Sequence, residues 1–409
     1  MDRRTLLTGA AVLGAMPLSH ARAQAANTVR VGVLTDLSGT FRDLNGPNTI
    51  AATRLALQEF GQRGFNVEMV TADHQNRPDV GVNLARQWVD RDNVDVVTSL
   101  ASSAVALAVS ELAREKNKVA IANSTATSDL TGRACNANTI QWVYDTYMLA
   151  KVAGLAMVRA GGDTWFFITA DYAFGHALER DASNFVRQAG GRVLGSVRTP
   201  FPGTTDFSSF LLQAQASRAK VIALANAGAD TVNSIKQAAE FGLTRRGIKI
   251  ASLLMFITDV HALGLEAAQG LVCANTFYWD ANDQTRSLTR RIRAIAGGDI
   301  PVAMSHAGDY SGTLHYLQAV ADMGVAAAKA DGRAVVARMK AMPTEDDAFG
   351  RGTIREDGRK MHPAYLYEVK RPEESRYQHD YYKLLQTVSA LQNFLSDYLN
   401  RKYPKCMTD

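Results

Sequence analysis

The chain has 409 residues, of which 46% are hydrophobic and 21% charged, and its formal net charge is +5. This length suits two domains of ordinary size better than a single core. So small a charge, with no long run of Lys and Arg, argues against a nucleic-acid-binding protein. The sequence also lacks a run of about 18 consecutive apolar residues, so we expect no membrane span in the mature protein.

Residues 1–23 predict an export signal. Arg3-Arg4 precede an apolar run from Ala10 to Leu18, and Ala21-Arg22-Ala23 has the A-x-A form of a signal peptidase site. The adjacent arginines favour the twin-arginine route, although general secretory signals also begin with basic pairs. Cleavage after Ala23 removes three Arg and one Asp, which lowers the formal charge from +5 to +3.

The three cysteines predict one disulfide and one free thiol, because an exported protein meets an oxidising compartment. We favour pairing of Cys135 with Cys406, since Cys273 lies in the strand-like run Leu271-Val272-Cys273. The sequence has neither C-x-x-C nor H-E-x-x-H spacing, so no metal site is expected.

Strands alternate with helices in two successive sets, which predicts an α/β fold with parallel sheets covered on both faces. The first set comprises Val29–Leu34, Thr49–Phe60, Val67–Val70, Asp79–Arg91, Val94–Thr98, Ser103–Lys116 and Val119–Ala122. The second comprises Trp165–Thr169, Gly175–Gln188, Val193–Val197, Phe207–Ala216, Val221–Leu224, Asp230–Phe241, Lys249–Leu254 and Val260–Ala268. We therefore expect two doubly wound parallel-sheet lobes in tandem.

The later segments predict that the lobes exchange chain. A helix at Gly308–Ala328 and a strand at Ala364–Val369 need existing partners, so we assign residues 28–145 and 275–345 to lobe 1. Residues 146–274 and 346–387 form lobe 2, and the crossings form a multi-crossover hinge. Residues 388–409 are predicted as a C-terminal helical tail docked on a lobe; a membrane-surface helix is the alternative. Its apolar stripe comprises Leu384, Leu385, Val388, Leu391, Leu395 and Leu399.

A serine-rich turn connects the third predicted strand to the third helix. The turn Leu100–Ser103 leaves the first N–H groups of the helix without intrahelical partners. Those groups, the helix dipole and two hydroxyls suit one small anion, such as a carboxylate. The alternative is that Ser102 or Ser103 only caps the helix.

Motifs for catalysis and nucleotide binding are absent from the sequence. It has no G-x-G-x-x-G, no G-x-x-x-x-G-K-[ST] and no G-x-S-x-G, and its eight histidines are scattered. We therefore expect neither an enzyme nor a bound cofactor.

Several sequence blocks together resemble the type I periplasmic substrate-binding proteins of ABC transporters, the Leu/Ile/Val receptor family. They include VRVGVLTDLSGTFRDLNGP, ASSAVALAVSELAREKNKVAIANSTATSDLTG, DTWFFITADYAFGHALERD and GTIREDGRKMHPAYLYEV. The resemblance extends from Val29 to Leu385. It implies a periplasmic, two-lobed receptor that closes on a small solute and delivers it to permease subunits. We expect a monomer.

The resemblance also implies site positions. The family's carboxylate-binding turn corresponds to Ala101-Ser102-Ser103, and the segment after the next strand to Asn123–Ala126. The cleft loop of the first lobe corresponds to Phe41–Leu44, and the second-lobe positions to Asp171–Phe174, Asn226–Gly228 and Met255–Ile257. The candidate ligand-binding residues are Phe41, Arg42, Ala101, Ser102, Ser103, Ser124, Thr125, Tyr172, Phe174, Asn226 and Phe256.

Two departures from the family indicate the ligand class. The positions that hold the ammonium group in amino acid receptors correspond to Ala126 and Leu254–Phe256, which are apolar. Because a buried ammonium without acceptors is costly, we predict a carboxylate ligand that lacks an α-amino group. The aromatic positions suit an aromatic or hydrophobic organic acid, such as a benzoate, cinnamate or phenylpyruvate, and Arg42 could add a second anion contact.

Three alternatives stay open at this point. The aromatic residues could serve inter-lobe packing, with Arg42 a surface residue. The protein could be a receptor for branched-chain or other amino acids. It could also be a sensor of the same fold that signals to a membrane partner.

Overall fold

The structure, a computed structural model, describes residues 27–390. Five strands form the first parallel sheet: β1 (Thr28–Thr35), β2 (Asn66–Asp73), β3 (Val96–Ser99), β4 (Val119–Ala122) and β5 (Thr139–Gln141). Their order is β2-β1-β3-β4-β5. Four strands form the second: β6 (Thr164–Ala170), β7 (Arg192–Thr199), β8 (Val221–Ala225) and β9 (Lys249–Ser252). Their order is β7-β6-β8-β9, so the predicted α/β fold with two parallel sheets is confirmed.

Helices cover both faces of these sheets. They are α1 (Gly46–Phe60), α2 (Pro78–Asp90), α3 (Ser103–Glu115), α4 (Thr146–Leu149), α5 (Leu155–Arg159), α6 (Ala173–Gln188), α7 (Ser208–Ala216), α8 (Ala229–Glu240), α9 (Ile257–Leu263), α10 (Leu265–Ala268), α11 (Asp283–Ala296), α12 (Met304–Met323), α13 (Val325–Ala330) and α14 (Gly332–Ala341). A π-helical turn, Ala150–Gly154, joins α4 to α5. Within residues 27–390, no helix combines the length and apolar character that a membrane span requires.

The side chains of the first sheet point alternately to its two faces, so the hydrophobic core around this sheet has two parts. Val33 and Val96 belong to a core that includes Leu55 of α1, whereas Leu34 and Val97 belong to a second core on α2 and α3. Successive side chains of a strand point to opposite faces, so a sheet covered on both sides needs apolar residues at nearly every position. The runs of Val, Ile and Leu that predicted these strands reflect this requirement.

A third, antiparallel sheet was not predicted. It contains β10 (Val272–Asn275), β13 (Ala364–Val369) and β14 (Tyr382–Val388) in the order β10-β13-β14. Two short strands, β11 (Thr353–Ile354) and β12 (Lys360–Met361), pair separately. The late strand therefore pairs antiparallel with β10 and joins neither parallel sheet.

The prediction of a helical stripe beginning at Leu384 is wrong for the part that the structure describes. Leu384, Leu385 and Val388 lie in β14, where Leu384 is paired with Tyr367 and Val388 with Ala364. Strand pairing with β13 prevails here over the helical spacing of the leucines. The rest of the predicted tail, residues 391–409, and the predicted signal, residues 1–23, lie outside the described residues.

The chain returns to the first lobe after β10. Helix α12 packs against α1, where the Thr49 hydroxyl donates a hydrogen bond to Asp309 over 2.8 Å. His306 of α12 also lies 3.1 Å from the carbonyl oxygen of Asn45, just before α1. The exchange of chain between the lobes has this physical basis, while the boundaries at residues 145 and 345 stay predictions.

Arg359 holds the chain crossings together. Its side chain is fully buried and pairs with Asp145 at 3.0 Å. It also donates hydrogen bonds to the carbonyl oxygens of Trp142 (2.9 Å), Val143 (3.2 Å) and Lys360 (2.8 Å). One guanidinium thus fixes the segment that leaves β5 against the segment that returns at β12.

The cysteines agree in part with the expectation of one disulfide and one free thiol. Cys135 is disulfide-bonded, and Cys273 is a free, buried thiol in β10. Burial raises the pKa of the Cys273 thiol to about 12, so it stays protonated. Cys406 lies outside the described residues, and its pairing with Cys135 stays a prediction.

Candidate functional site

A small cavity lies between the two lobes, where loops that follow strands of both parallel sheets meet. It is lined by Phe41, Leu44, Ala101, Ser103, Ser124, Ala126, Tyr144, Tyr172, Phe174, Ala227, Leu254 and Phe256. Ligands of doubly wound sheets bind beyond the carboxyl ends of the strands, which is where these loops are. The cavity is therefore the candidate ligand site.

The serine turn is held by backbone contacts rather than by caps. Ser99 and Leu100 adopt positive φ values of 74° and 58°, which are uncommon for residues other than glycine. The Leu100 N–H donates to Leu34 over 2.9 Å, and the Ser124 N–H donates to Ser99 over 3.1 Å. Thr125 donates its hydroxyl to the Leu100 carbonyl oxygen. Strained backbone conformations persist where surrounding contacts hold them in place, as these hydrogen bonds do. The turn places Ser103, the first residue of α3, at the cavity.

The serine hydroxyls of the site differ in what they already bind. Ser103 Oγ accepts a hydrogen bond from the Thr127 N–H over 3.2 Å, which leaves its own proton to donate. Ser102 is the N-cap residue of α3, yet its side chain makes no capping hydrogen bond. Among residues 27–390, the buried hydroxyls of Ser102 and Ser124 find no hydrogen-bond partner. Buried hydroxyls without partners are uncommon in folded proteins and indicate a ligand or ordered water.

Aromatic rings close the cavity from both lobes. Tyr172 stacks on Phe201 with ring centroids 3.9 Å apart, and Phe201 lies 5.6 Å from Phe41 of the first lobe. Tyr144 meets Phe256 edge-on at 5.8 Å. Such pairs add a favourable term beyond burial, so the rings both join the lobes and form an apolar wall.

Tyr144 also supplies a polar contact. Its hydroxyl donates to the Ser124 carbonyl oxygen over 2.9 Å. Burial raises the pKa of Tyr144 above its ordinary value, so the phenol is neutral at physiological pH. The same is true of Tyr172, where burial is the main cause and Asp230 adds to the effect.

The structure brings seven of the predicted residues together on the cavity wall and leaves four outside it. Those on the wall are Phe41, Ala101, Ser103, Ser124, Tyr172, Phe174 and Phe256. Ser102 and Thr125 lie in the same turn region but do not line the cavity. Arg42 points to solvent, with 60% of its side chain exposed, and pairs with Asp43 at 3.0 Å. Asn226 is occupied by Ser234 (3.1 Å) and Thr231 (2.8 Å), which it ties to the start of α8.

The sequence did not single out Leu44, Ala227 or Tyr144 as lining residues. Leu44 and Ala227 lie inside loops that were aligned with the family's cleft, so the family resemblance could have identified them. Tyr144 follows β5, a strand of only three residues that the hydrophobic pattern did not predict. Without that strand, nothing in the sequence placed Tyr144 near the site.

No charged side chain lines the cavity within residues 27–390. Two acids of the second lobe lie close by. Asp259 accepts a hydrogen bond from the Phe256 N–H over 2.8 Å, and burial raises its pKa to about 7. Asp230 is also buried, and burial raises its pKa to about 7. One of its carboxylate oxygens has no hydrogen-bond partner among the described residues.

A third buried acid lies behind Ser124. Asp309 of α12 accepts hydrogen bonds from Thr49 (2.8 Å) and Asn123 (3.1 Å). Burial raises its pKa to about 7, against the lowering effect of these donors. The hydroxyls of Ser99 and Ser124 are close enough to lower the Asp309 pKa slightly, but neither reaches a hydrogen bond of good geometry.

The two lobes are in direct contact around the cavity. The Ala229 N–H of the second lobe donates to the Thr40 carbonyl oxygen of the first over 3.1 Å. On the other side, Arg180 of α6 pairs with Asp129 at 3.1 Å. Most lining side chains are buried as a result, so the structure represents a closed arrangement.

Comparison with known proteins identifies a family. The family model of periplasmic binding proteins matches residues 28–375. A solved periplasmic binding protein from Burkholderia mallei is 44% identical, with a TM-score of 0.86, over 90% of this chain and 96% of that chain. A branched-chain amino acid ABC transporter periplasmic ligand-binding protein from Burkholderia xenovorans LB400 is 36% identical, with a TM-score of 0.77, over 90% and 97%.

A more distant structure shares the fold. It is the solute-binding protein of an ABC transporter from Rhodopseudomonas palustris HaA2, in complex with p-hydroxybenzoic acid. It is 21% identical, with a TM-score of 0.79, over 90% of this chain and 100% of that chain.

Proposed function

The chain belongs to the periplasmic binding protein family, and we propose that it is the receptor of an ABC importer for an aromatic or hydrophobic organic acid without an α-amino group. The family comprises periplasmic transport receptors that bind small solutes and work with permease subunits, so the resemblance found in the sequence is confirmed at that level. The observation that carries the proposal is the lining of the cavity, which within residues 27–390 has hydroxyls and aromatic rings but no charged side chain.

The polar side of the cavity suits a carboxylate. Ser103 begins α3, so the unpaired N–H groups of the first helical turn lie beside its hydroxyl. Ser124 adds a buried hydroxyl that has no partner among the described residues. Neutral donors of this kind hold an anion by fixed dipoles, and closure of the lobes strengthens the contact by excluding water.

The remaining wall suits a ring or an apolar chain. Phe41, Tyr172, Phe174 and Phe256 line the same cavity as the serines. An aromatic monocarboxylic acid satisfies both halves of the site, and the p-hydroxybenzoic acid complex of the R. palustris protein supports the capacity of this fold for such ligands.

Calorimetric titration tests the proposal. Titration of the ligand-free mature protein with 4-hydroxybenzoate, and separately with leucine, compares the two ligand classes on one site. We expect saturable binding of the benzoate and no detectable binding of leucine. Tight binding of leucine would overturn the prediction that the ligand lacks an amino group.

The second candidate is an amino acid receptor, and one observation favours it. Asp230 is buried near Tyr172, and one of its carboxylate oxygens has no partner in the part of the chain that the structure describes, so a small movement would let it accept a hydrogen bond from an ammonium group. The relationship to the B. xenovorans protein points the same way.

Asp230→Asn separates the two candidates. An amino acid receptor that uses Asp230 would lose affinity by about 100-fold or more, because the ammonium would lose its charged acceptor. A receptor for a simple carboxylate would keep its affinity or gain some, since the substitution removes a partly ionised acid near the anion.

A further inference from the structure

We propose that His261, Asp299 and His379 form a binding site for one divalent transition metal of the zinc class, placed between the two lobes. One ligand atom from each residue lies within 4.8 Å of those of the other two. The His379 Nε2 and Asp299 Oδ1 atoms are 3.5 Å apart. The site is separate from the ligand cavity, and the inference does not depend on the proposed function.

The three residues come from distant parts of the chain. His261 lies in α9, and His379 lies in the turn before β14. Asp299 lies between α11 and α12, in the segment that returns to the first lobe, where Asn48 contacts the neighbouring Ile300 at 3.3 Å. A metal ion bound here would therefore connect the first lobe to α9 and the antiparallel sheet.

The environment of the His379 side chain favours a metal site over an ordinary polar contact. It is 3% exposed, and its Nε2 has no hydrogen-bond partner among residues 27–390. A separation of 3.5 Å from Asp299 is too long for a good hydrogen bond. Ligand atoms of a tetrahedral site with bonds of about 2.0–2.1 Å lie about 3.3 Å from one another, which is close to the observed separation.

His261 is held in place by an outer contact. Its Nδ1 lies 2.9 Å from the Tyr381 hydroxyl, and its ring meets that of His379 edge-on with centroids 5.2 Å apart. Metal-binding histidines are oriented in this way by a partner on one ring nitrogen, which leaves the other nitrogen for the metal.

The charges around the cluster limit the affinity and the choice of metal. Arg293 donates to Asp299 Oδ1 over 3.3 Å, and Gln378 donates to the same oxygen over 2.5 Å. Both donors compete with a metal ion for this oxygen, and the charge of Arg293 repels a cation, so we expect moderate rather than tight affinity. Two imidazoles and one carboxylate favour Zn²⁺, Ni²⁺, Co²⁺ or Cu²⁺ over Ca²⁺ and Mg²⁺, which prefer all-oxygen sites.

The test is calorimetric titration of the tag-free mature protein with ZnCl₂ after removal of metals with a chelator. We expect one saturable zinc site per chain, and an increase in Tm when zinc is added. His379→Asn should weaken zinc binding by at least about 100-fold, because it removes a direct ligand and even outer-shell partners contribute about 10–100-fold. Asparagine is chosen since it tolerates the positive φ of 62° at this position.

Two further variants keep the test decisive. Asp299→Asn changes an exposed side chain, so it should reduce zinc affinity without affecting folding. His176→Ala removes an exposed histidine that pairs with Asp171 outside the cluster, and it should leave zinc binding unchanged. Absence of saturable binding, binding that survives both His379→Asn and Asp299→Asn, or an equal loss in His176→Ala would overturn the proposal.

Discussion

Ser124 and Ser103 occupy the same wall of the cavity but have different roles in the fold. Ser103 already accepts a hydrogen bond from the protein, whereas the Ser124 hydroxyl has no partner in the part of the chain that the structure describes. Because the Ser124 hydroxyl makes no hydrogen bond of good geometry with the described residues, its removal should cost little stability. It should affect binding only if a ligand uses it.

Ser124→Ala should therefore weaken binding of a carboxylate ligand by about 1–1.5 kcal/mol, which is about five- to tenfold, while the unfolding midpoint in urea stays nearly unchanged. Ser110→Ala is the matched control, because Ser110 bonds to Thr139 (2.8 Å) and Asn136 (2.7 Å) away from the cavity. The control should lose stability and keep its affinity. Equal ligand affinity in Ser124→Ala and the unmodified protein would contradict the assignment of this hydroxyl.

Asp309 gives a prediction about pH. Its pKa is about 7 in the folded protein, against about 3.9 in an unfolded chain, because burial disfavours the charged form. The folded state keeps this proton over the range in which the unfolded state loses it. The contribution of Asp309 to stability is thus complete below about pH 4 and is lost as the pH rises through about 7.

Asp309→Asn should remove this dependence. Relative to the variant, the unmodified protein should lose up to about 1.4 kcal/mol of unfolding free energy per pH unit between about pH 4 and pH 7. Urea unfolding of both proteins across this range measures the difference. Parallel pH profiles would show that Asp309 titrates in the folded protein as it does in the unfolded one.

At the scale of single residues, the sequence predicted the serine turn and the aromatic wall because loops after parallel strands meet at one edge of a sheet. It did not separate the residues of a loop that face the cleft from those that do not. Ser103 lines the cavity and Arg42 faces solvent, although both belong to loops aligned with the family's site. That distinction depends on backbone angles such as those of Ser99 and Leu100, which the residue types do not reveal.

At the scale of elements, the crossing segments depend on one buried ion pair. Arg359→Met would leave Asp145 without its partner, together with the carbonyl oxygens of Trp142 and Val143 that Arg359 binds. Breaking a buried pair by removing one member costs about 3–5 kcal/mol, so a loss of this size is expected in urea unfolding.

Arg133→Met provides the control for this prediction. Arg133 pairs with Asp129 at 2.7 Å, but 77% of its side chain is exposed. Exposed pairs contribute about 0–1 kcal/mol, so this variant should be nearly as stable as the unmodified protein. A similar loss in both variants would mean that Arg359 has no special role at the crossing.

Strands with continuous apolar sequences were predicted well. Short strands, and strands that pair with distant parts of the chain, were not. The strands Val221–Ala225 and Val119–Ala122 are fully buried and read as continuous apolar segments. In contrast, β14 has mostly exposed side chains and a leucine spacing that is also compatible with a helix. Its conformation is set by pairing with β13, a contact over a long sequence separation that local pattern does not encode.

At the scale of the whole molecule, closure brings the lobes together at Gly228. This residue has a φ of 61°, and a Cβ atom added there would lie 2.5 Å from the carbonyl oxygen of Thr40 on the other lobe. The two loops can approach closely because glycine has no side chain.

Gly228→Ala should therefore disfavour the closed arrangement and weaken ligand binding by about tenfold or more, while the separate lobes stay folded. Small-angle scattering should show that the ligand no longer reduces the radius of gyration. Gly190→Ala is the control, because Gly190 has a φ of 84° but an added Cβ would meet nothing within 4 Å. If both variants lose affinity equally, backbone strain rather than lobe contact is responsible.

We propose that a cavity between the two lobes, with no charged lining side chain among residues 27–390, holds a carboxylate by hydroxyls and peptide dipoles, with aromatic rings around the rest of the ligand. Mass spectrometry of the solute that co-purifies with the gently isolated protein tests this proposal without a prior choice of ligand. We expect a small, nitrogen-free aromatic or hydrophobic monocarboxylic acid. Recovery of an α-amino acid or an amine would contradict the proposal.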